Sequence, residues 1–259
     1  MMAGYHLFNE LTRERLNQLA PDALVVLPVG ATEQHGPHLP VGTDHFAVER
    51  IARQAAMAAS DRITTVVAPT LPFGSSEHHL QFGGTLSFST ETYYRVLVDL
   101  VESLVTDGFR QIFILNGHGG NSELIQLAAR DVSLRRVVSV GAAPYWTIAW
   151  DALVAAGIHQ GGRLPGHAGR FETSLILADR AELVVEPRPH RDLPDGIAEL
   201  RMAAPFRAEH NGFWTSIDGY TDSPDLGTMD LGNQAFEAIV GAVAETFVTF
   251  TQDAEATRS

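Results

Sequence analysis

Four short apolar runs dictate what this chain can fold into. "ALVVLPV" (23–29), "TTVVAP" (64–69), "QIFILN" (111–116) and "VVSVGAA" (137–143) each predict a buried strand. Between them lie helical segments: "HFAVERIARQAAMAA" (45–59), "STETYYRVLVDLVESLVTDG" (89–108) and "NSELIQLAARD" (121–131). The second of these opens on Ser/Thr, good caps for free N–H groups, and stops at Gly108. Strands alternating with helices predict βαβ units, hence an α/β fold with a mostly parallel sheet flanked by helices on both faces. A last helix is predicted over 233–250, where Phe236, Ile239, Val240, Val243 and Phe247 fall on one face. No repeat, low-complexity tract or interdomain linker interrupts the pattern. The Pro-rich stretch at 184–196 predicts a surface connection, and the chain is expected to form a single domain over 1–259.

In an open parallel sheet, ligands bind beyond the carboxyl ends of the strands. The chemically versatile residues sit there. Glu33, His35, His38, Asp44 and His45 follow the first predicted strand; Glu77, His78 and His79 follow the second; His118 follows the third. A fourth loop, "GHAGRFETS" (166–174), adds His167 and Glu172 ahead of the apolar run "SLILA". Seven of the eleven histidines fall in these four loops. A scatter without function would not concentrate them so.

Each residue alone has an ordinary explanation: Asp44 as a helix cap, Glu33 as a solvated charge, Glu172 as a carboxylate complementing a helix dipole. Glu33, His35 and Asp44 taken together with His118 point to a metal site. Imidazole and carboxylate donors suit Zn, Mn or Fe(II), and the chain has no cysteine to build a thiolate site. Glu172 would complete the set that two cations need, with Asp44 as the bridge. "NGHGGN" (116–121) lacks the lysine and spacing of a phosphate cradle, and no G-x-S-x-G elbow supports a serine hydrolase. In "FGSSEHH" (73–79), Ser76 is the expected substrate contact, with Glu77 and His78 beside it on the substrate side.

Composition excludes other classes. With 31 acidic against 18 basic side chains, net charge −13, the chain offers no surface for neutralising nucleic-acid phosphates and no polybasic membrane anchor. The first residues lack a basic region followed by an apolar core, and no window is long and apolar enough to span a bilayer. The expectation is a cytoplasmic protein acting on a small molecule.

"PVGATEQHGPHLPVGTDH", "PFGSSEHHLQFGGTLS", "LNGHGGN" and "GHAGRFETS" together resemble the creatininase (creatinine amidohydrolase) family, in which these motifs occur in the same order. The resemblance covers residues 25 to about 180; the C-terminal third matches loosely. It implies an α/β fold with two divalent metal ions per chain, zinc above all, with manganese or iron as alternatives. It also implies hydrolysis of non-peptide carbon–nitrogen bonds, and a homo-oligomer, often a hexamer. By motif position Glu33, His35, Asp44 and His118 correspond to metal ligands, with Asp44 bridging, and His167 to the histidine that carries the proton. Where creatininase has Tyr and a ligating Glu after the third-strand histidine, this chain has Gly119 and Gly120, so the fifth ligand is assigned to Glu172, paired with His167 as a catalytic candidate. The Trp–Asp pair that meets creatinine is also missing from "GGRLPGHAG" (161–169), which argues against creatinine as substrate.

The expected activity is hydrolysis of a cyclic or small amide by metal-activated water. Two alternatives stay open: a metal-dependent hydrolase or lyase of a sugar-derived ring or lactone, and a non-catalytic metal-binding protein.

Overall fold

The computed structural model describes residues 4–191 and 210–257. The four apolar runs become β2 (Leu24–Val29), β3 (Thr64–Val67), β4 (Gln111–Asn116) and β5 (Ser139–Pro144), joined by an edge strand β1 (Gly4–Leu7). The five lie parallel in the order β1-β3-β2-β4-β5. Periodicity misses β1 for a physical reason. Its four residues pair with β3 alone and stay half-buried, so no run of apolar side chains marks them.

The helices follow from the same alternation: α1 (Arg13–Leu19), α2 (Thr43–Ala58), α3 (Thr90–Thr106), α4 (Ser122–Arg135), α5 (Tyr145–Ile148), α6 (Trp150–Ala155), α7 (Arg170–Arg180), α8 (Phe213–Ser216) and α9 (Met229–Ala256). In α3 the Ser89 hydroxyl accepts the Thr92 N–H and Gly108, at φ 102°, ends the run, as the sequence predicts.

Successive side chains of a strand face opposite ways. Leu24 and Val26 therefore enter a core with α2, α7 and α9, while Val25, Leu27 and Val29 enter another with α1, α3 and α4. In α9, Phe236, Ile239, Val243 and Phe247 are buried as predicted. Val240 is only half-buried, and Ala235 takes its place in the packed stripe. Burying each large side chain contributes about 1.5–3 kcal/mol. The Pro-rich connection has no buried residue over 184–191; its continuation from 192 lies outside the described residues. Among the described residues no helix is long and apolar enough to cross a membrane.

One residue shapes the mouth above the sheet. Pro28 sits in the central strand without an N–H to give. Its carbonyl accepts Leu71 N at 3.0 Å, so its amide position faces the β3 side, beyond the last β2–β3 pair, Val26–Val67. The missing donor thus costs the sheet nothing. β4 stays paired with β2 through Asn116 while β3 has already left. Loops 30–42 and 72–88 connect these strand ends to α2 and α3.

Candidate metal centre

Four donors stand on rigid supports at the strand ends. Glu33 and His35 follow β2 and are both fully buried. Asp44 lies in the first turn of α2, and His118 follows β4. The Asp44 side chain does not cap its helix: the α2 N-terminus has no side-chain cap, and the carboxylate turns inward. There its Oδ1 lies 3.2 Å from His35 Nε2 and its Oδ2 lies 3.0 Å from His118 Nδ1. Glu33 Oε1 is 3.2 Å from His118 Nδ1. Glu172, in the first turn of α7, places Oε2 3.7 Å from His35 Nε2. Asp44 is therefore central, with His35 and Glu172 on one side and His118 and Glu33 on the other. Within the set, Glu33, His35 and Asp44 hold donor atoms within 4.8 Å of one another.

The backbone decides which imidazole nitrogen carries a proton. His35 Nδ1 lies 3.1 Å from the Glu33 carbonyl, and His118 Nε2 lies 3.1 Å from the Ser75 carbonyl. A carbonyl only accepts, so each of these nitrogens is an N–H donor. The other nitrogen of each ring is left facing carboxylates. Metal-binding histidines are oriented in this way, by a hydrogen bond from the far nitrogen.

The carboxylates in turn lack partners. Both Glu33 oxygens and Asp44 Oδ2 are buried without a well-formed hydrogen bond. Burying unpaired carboxylates costs several kcal/mol unless a cation or proton compensates. Without a cation, protons take that role. Burial opposes the charged form of His35, but Asp44, Glu172 and Glu33 outweigh it and lift the ring to about 10. His118 is likewise buried and held well above the usual imidazole range by Glu33 and Asp44. Burial raises the Glu33 carboxyl, yet His118, His167 and His79 hold it well below its usual range. Burial, with Asp44 and Glu33 adding to it, raises Glu172 to about 8 against the pull of His35. The donor set fits divalent cations: nitrogen and oxygen only, orphaned oxygens, and imidazoles already oriented.

His167 has a different character. Its Nε2 lies 3.0 Å from the Gln34 main-chain carbonyl and 3.2 Å from the Gln34 side-chain NH₂, whose two hydrogens serve His79 and the Gly219 carbonyl at shorter distances; the carbonyl therefore makes Nε2 the donor and leaves Nδ1 facing Glu33 Oε1 at 3.6 Å. Burial and the neighbouring His35 push it well below the ordinary histidine range. It is a neutral base at the edge of the cluster. His79, named at the second strand end but given no role by the sequence, is buried beside it with ring centroids 4.3 Å apart. Its Nδ1 meets the Gln34 amide at 2.9 Å, so Nε2 bears the proton and points to Glu33 Oε1 at 3.8 Å. Although Glu33, His79 and His167 also form a compact group, this tautomer turns an N–H and not a lone pair toward Glu33, too far for a hydrogen bond, so His79 does not present a ligand nitrogen there. Gln34 was equally without an assigned role. Its amide also donates to the Gly219 carbonyl at 2.9 Å.

The remaining candidates divide. Ser76 is buried with Oγ 3.2 Å from His118 Nε2, so it supports that ring. His78 is half-buried, its ring parallel to His118 at 5.9 Å, and it groups with Glu33 and His118. Glu77 is exposed at the start of the 3-10 turn Glu77–Phe82. His38 is buried and meets Thr173 Oγ1 at 2.9 Å, behind the cluster. His45 pairs with Glu49 along α2 and lines a separate cavity of about 120 Å³ with Leu7 and Arg53. Trp214 of α8 covers the histidines, its ring 4.6 Å from His79 and 5.2 Å from His167. The signal was present: "GFWTS" places two large aromatics in a polar loop.

Gly120 leaves no room for a carboxylate on the loop that carries His118. A Cβ there would lie 2.2 Å from the Ser75 carbonyl and 2.6 Å from His118 Nε2. No side chain fits at that position while His118 keeps its support. Glu172, arriving from α7, brings a carboxylate to the cluster from another element.

Comparison with known proteins agrees with this architecture. A family model described as creatininase, creatinine amidohydrolase, matches residues 9–247. A mycofactocin precursor peptide peptidase from Mycobacterium tuberculosis is 34% identical over 235 residues, 88% of this chain and 85% of the relative. A 3-dehydro-scyllo-inosose hydrolase from Thermotoga maritima is 38% identical over 170 residues, 66% of this chain and 50% of the relative. A crystal structure of creatinine amidohydrolase superposes with a TM-score of 0.75 at 27% identity, covering 93% of this chain and 95% of that one. A manganese form and a Zn–Zn form of creatininase also superpose, with TM-scores of 0.74 and 0.71, at 27% identity over 93% of this chain and 96% of theirs.

Proposed function

The chain belongs to the creatininase family, and from that premise we propose that it is a metal-dependent amidohydrolase opening a cyclic or small non-peptide amide. The observation that carries this is the placement of Asp44, one oxygen toward His35 and the other toward His118, with Glu172 and Glu33 beyond them. In this proposal Glu33, Asp44 and His118 hold one divalent ion and His35, Asp44 and Glu172 a second, with zinc favoured over manganese or iron. When bound, the pair supplies an acidified water as nucleophile and polarises the carbonyl under attack.

The chain's own residues do the rest. His167 is kept neutral by burial, so it can take the proton of the nucleophile at Nδ1 and return it to the departing nitrogen. Gln34 holds that ring through its carbonyl and holds His79 through its amide. Ser75 and Ser76 keep His118 turned inward. Trp214 and the 3-10 turn that carries His78 and His79 wall the cluster from water. The donors are buried beneath these rings, which suits a small ring better than an extended chain. The proposal extends to a homo-oligomer, as the family resemblance implies, and to a cytoplasmic protein acting as one domain, as the sequence pattern leads one to expect.

A second reading has an observation of its own. The mycobacterial relative at 34% identity is a precursor peptide peptidase, and in this reading the scissile bond is a peptide bond. Metal-depleted protein reconstituted with Zn or Mn would be assayed against lactams, cyclic ureides, lactones and short peptides. Turnover of lactams or ureides supports the proposal. Turnover confined to peptides replaces it with the second reading, and turnover confined to lactones moves the chain to ring-ester chemistry.

A further inference from the structure

Residues 220–223, "YTDS", stand in the part of the chain where no motif is evident, yet they grip the loop that carries His167. Asp222 is fully buried. Its Oδ2 accepts the Arg163 N–H at 3.0 Å and the Arg170 N–H at 3.3 Å, one before and one after His167. Its Oδ1 accepts the Thr221 hydroxyl at 2.9 Å. The same hydroxyl oxygen accepts the His167 N–H at 2.8 Å, and the Thr221 N–H donates to the His167 carbonyl at 2.9 Å. Both backbone groups of His167 are thus held by Thr221, and Thr221 is held by Asp222.

The loop is built around that carboxylate. A Cβ at Gly169 would stand 1.5 Å from Asp222 Oδ1, at Gly162 2.8 Å from Oδ2, and at Gly166 2.8 Å from Thr221 Oγ1. Ala168, the residue after His167, is held at φ 50°, a conformation that costs a non-glycine residue about 1 kcal/mol or more. Its N–H donates to Glu172 Oε2 at 2.5 Å. The segment is fixed on its outer side by Asp222 and on its inner side by Glu172.

We propose that Asp222, acting through Thr221, is the positioning residue that fixes His167 for proton transfer. This rests on the hydrolase reading above for its kinetic consequence, but the placement of the ring is a separate claim. Asp222 touches no reacting atom. It supplies a carboxylate that accepts two N–H groups and a hydroxyl, so an asparagine there gives up one acceptor: its NH₂ meets either an N–H or the Thr221 oxygen, which must then turn its own proton to the His167 carbonyl 3.2 Å away.

The test compares Asp222→Asn, Thr221→Val, Thr221→Ser and Gly169→Ala with the parent, all metal-loaded. Displacing a proton-transfer group by an ångström costs on the order of 10²-fold. The expected result is a loss of about that size in kcat for Asp222→Asn, Thr221→Val and Gly169→Ala, with KM and metal content within about twofold of the parent. Thr221→Ser, which keeps the hydroxyl, recovers most of the loss seen in Thr221→Val. Gly169→Ala reaches the same end from the opposite side, since φ is −94° there and the three atoms nearest the new methyl all belong to the Asp222 carboxylate. An Asp222→Asn or Gly169→Ala protein with parental kcat would overturn the proposal, as would equal loss in Thr221→Ser and Thr221→Val. The imidazole resonances separate this from a failure of the hydrolase reading. The His167 ring signal, identified by its loss in His167→Gln, shifts or broadens in Asp222→Asn while those of His35 and His118 stay in place. If the His167 signal is unchanged, the proposal fails whatever the substrate is.

Discussion

The two halves of the donor cluster are held by different forces. Glu33, His35, Asp44 and His118 stand at the ends of β2 and β4 and in the first turn of α2, over apolar layers in which Val25, Val26, Val48, Ile112 and Ile114 are completely buried. His167 and Glu172 stand in and just beyond a glycine-rich loop, residues 161–169, whose fixing is polar and comes from Thr221 and Asp222. Close packing gives the first half a geometry that few substitutions can shift without a cavity or clash. The second half depends on a few hydrogen bonds, each directional and each individually breakable. In the proposed reading the packed half, completed by Glu172, sets the metal, and the clasped His167 sets the proton.

The sharpest way to break that division is at its shared residue. Asp44→Ala removes the carboxylate between the two sides, and turnover falls by at least about 10³-fold with both ions lost, measured as kcat and as metal per chain. Retention of both ions would deny the packed half its role. Next, His167→Ala leaves the metal in place while kcat drops by roughly 10²–10⁴. Loss of metal in that variant would show that the two halves do not separate. Smaller again is Gly120→Ala, whose methyl collides with the Ser75 carbonyl and His118 Nε2. Disturbing the partner that orients a ligand weakens metal binding about 10- to 100-fold, read by competition with a chelator.

The metal-free protein gives a fourth contrast. His35, raised to about 10, and Glu172, raised to about 8, bind more protons folded than unfolded. The contribution of Glu172 is fully present below its unfolded value near 4.5 and that of His35 below 6.5. Both are lost as pH rises through the folded values. His38, His79 and His167 are shifted the other way, so their contributions are complete above the usual histidine range. Between pH 7 and 10, then, the melting temperature of the metal-free protein falls, whereas the loaded protein holds its own because the cations replace those protons. Parallel curves for the two forms would contradict this. The smallest effect belongs to His45→Ala. The ring pairs with Glu49 at the edge of a separate cavity, so stability changes by less than about 0.5 kcal/mol and metal content not at all, by melting and elemental analysis.

The same division governs what the sequence discloses. β2 and β4 are visible because both faces are buried, which leaves continuous apolar runs; β1, a half-buried edge of four residues, leaves none. Asp44 could be read as a cap or as a bridge, and its turn away from the α2 N-terminus removes the first of these. Glu33, His35 and His118 stand in dense short motifs, so their meeting was legible. His79 and Gln34 lay in the same motifs, but their roles depend on which ring nitrogen faces which amide, and spacing does not encode that. Thr221 and Asp222 are farther still from notice. They act on backbone N–H groups more than fifty residues away, and a backbone partner leaves no complementary residue type to recognise.

The central claim is that Asp44 stands between two metal ions held by the packed half together with Glu172. Anomalous diffraction from crystals of the metal-loaded protein, recorded at the edge of the bound element, tests it most directly. The account predicts two peaks per chain about 3.5–4 Å apart, one on either side of the Asp44 carboxylate. A single peak, or two peaks that Asp44 does not touch, would contradict it.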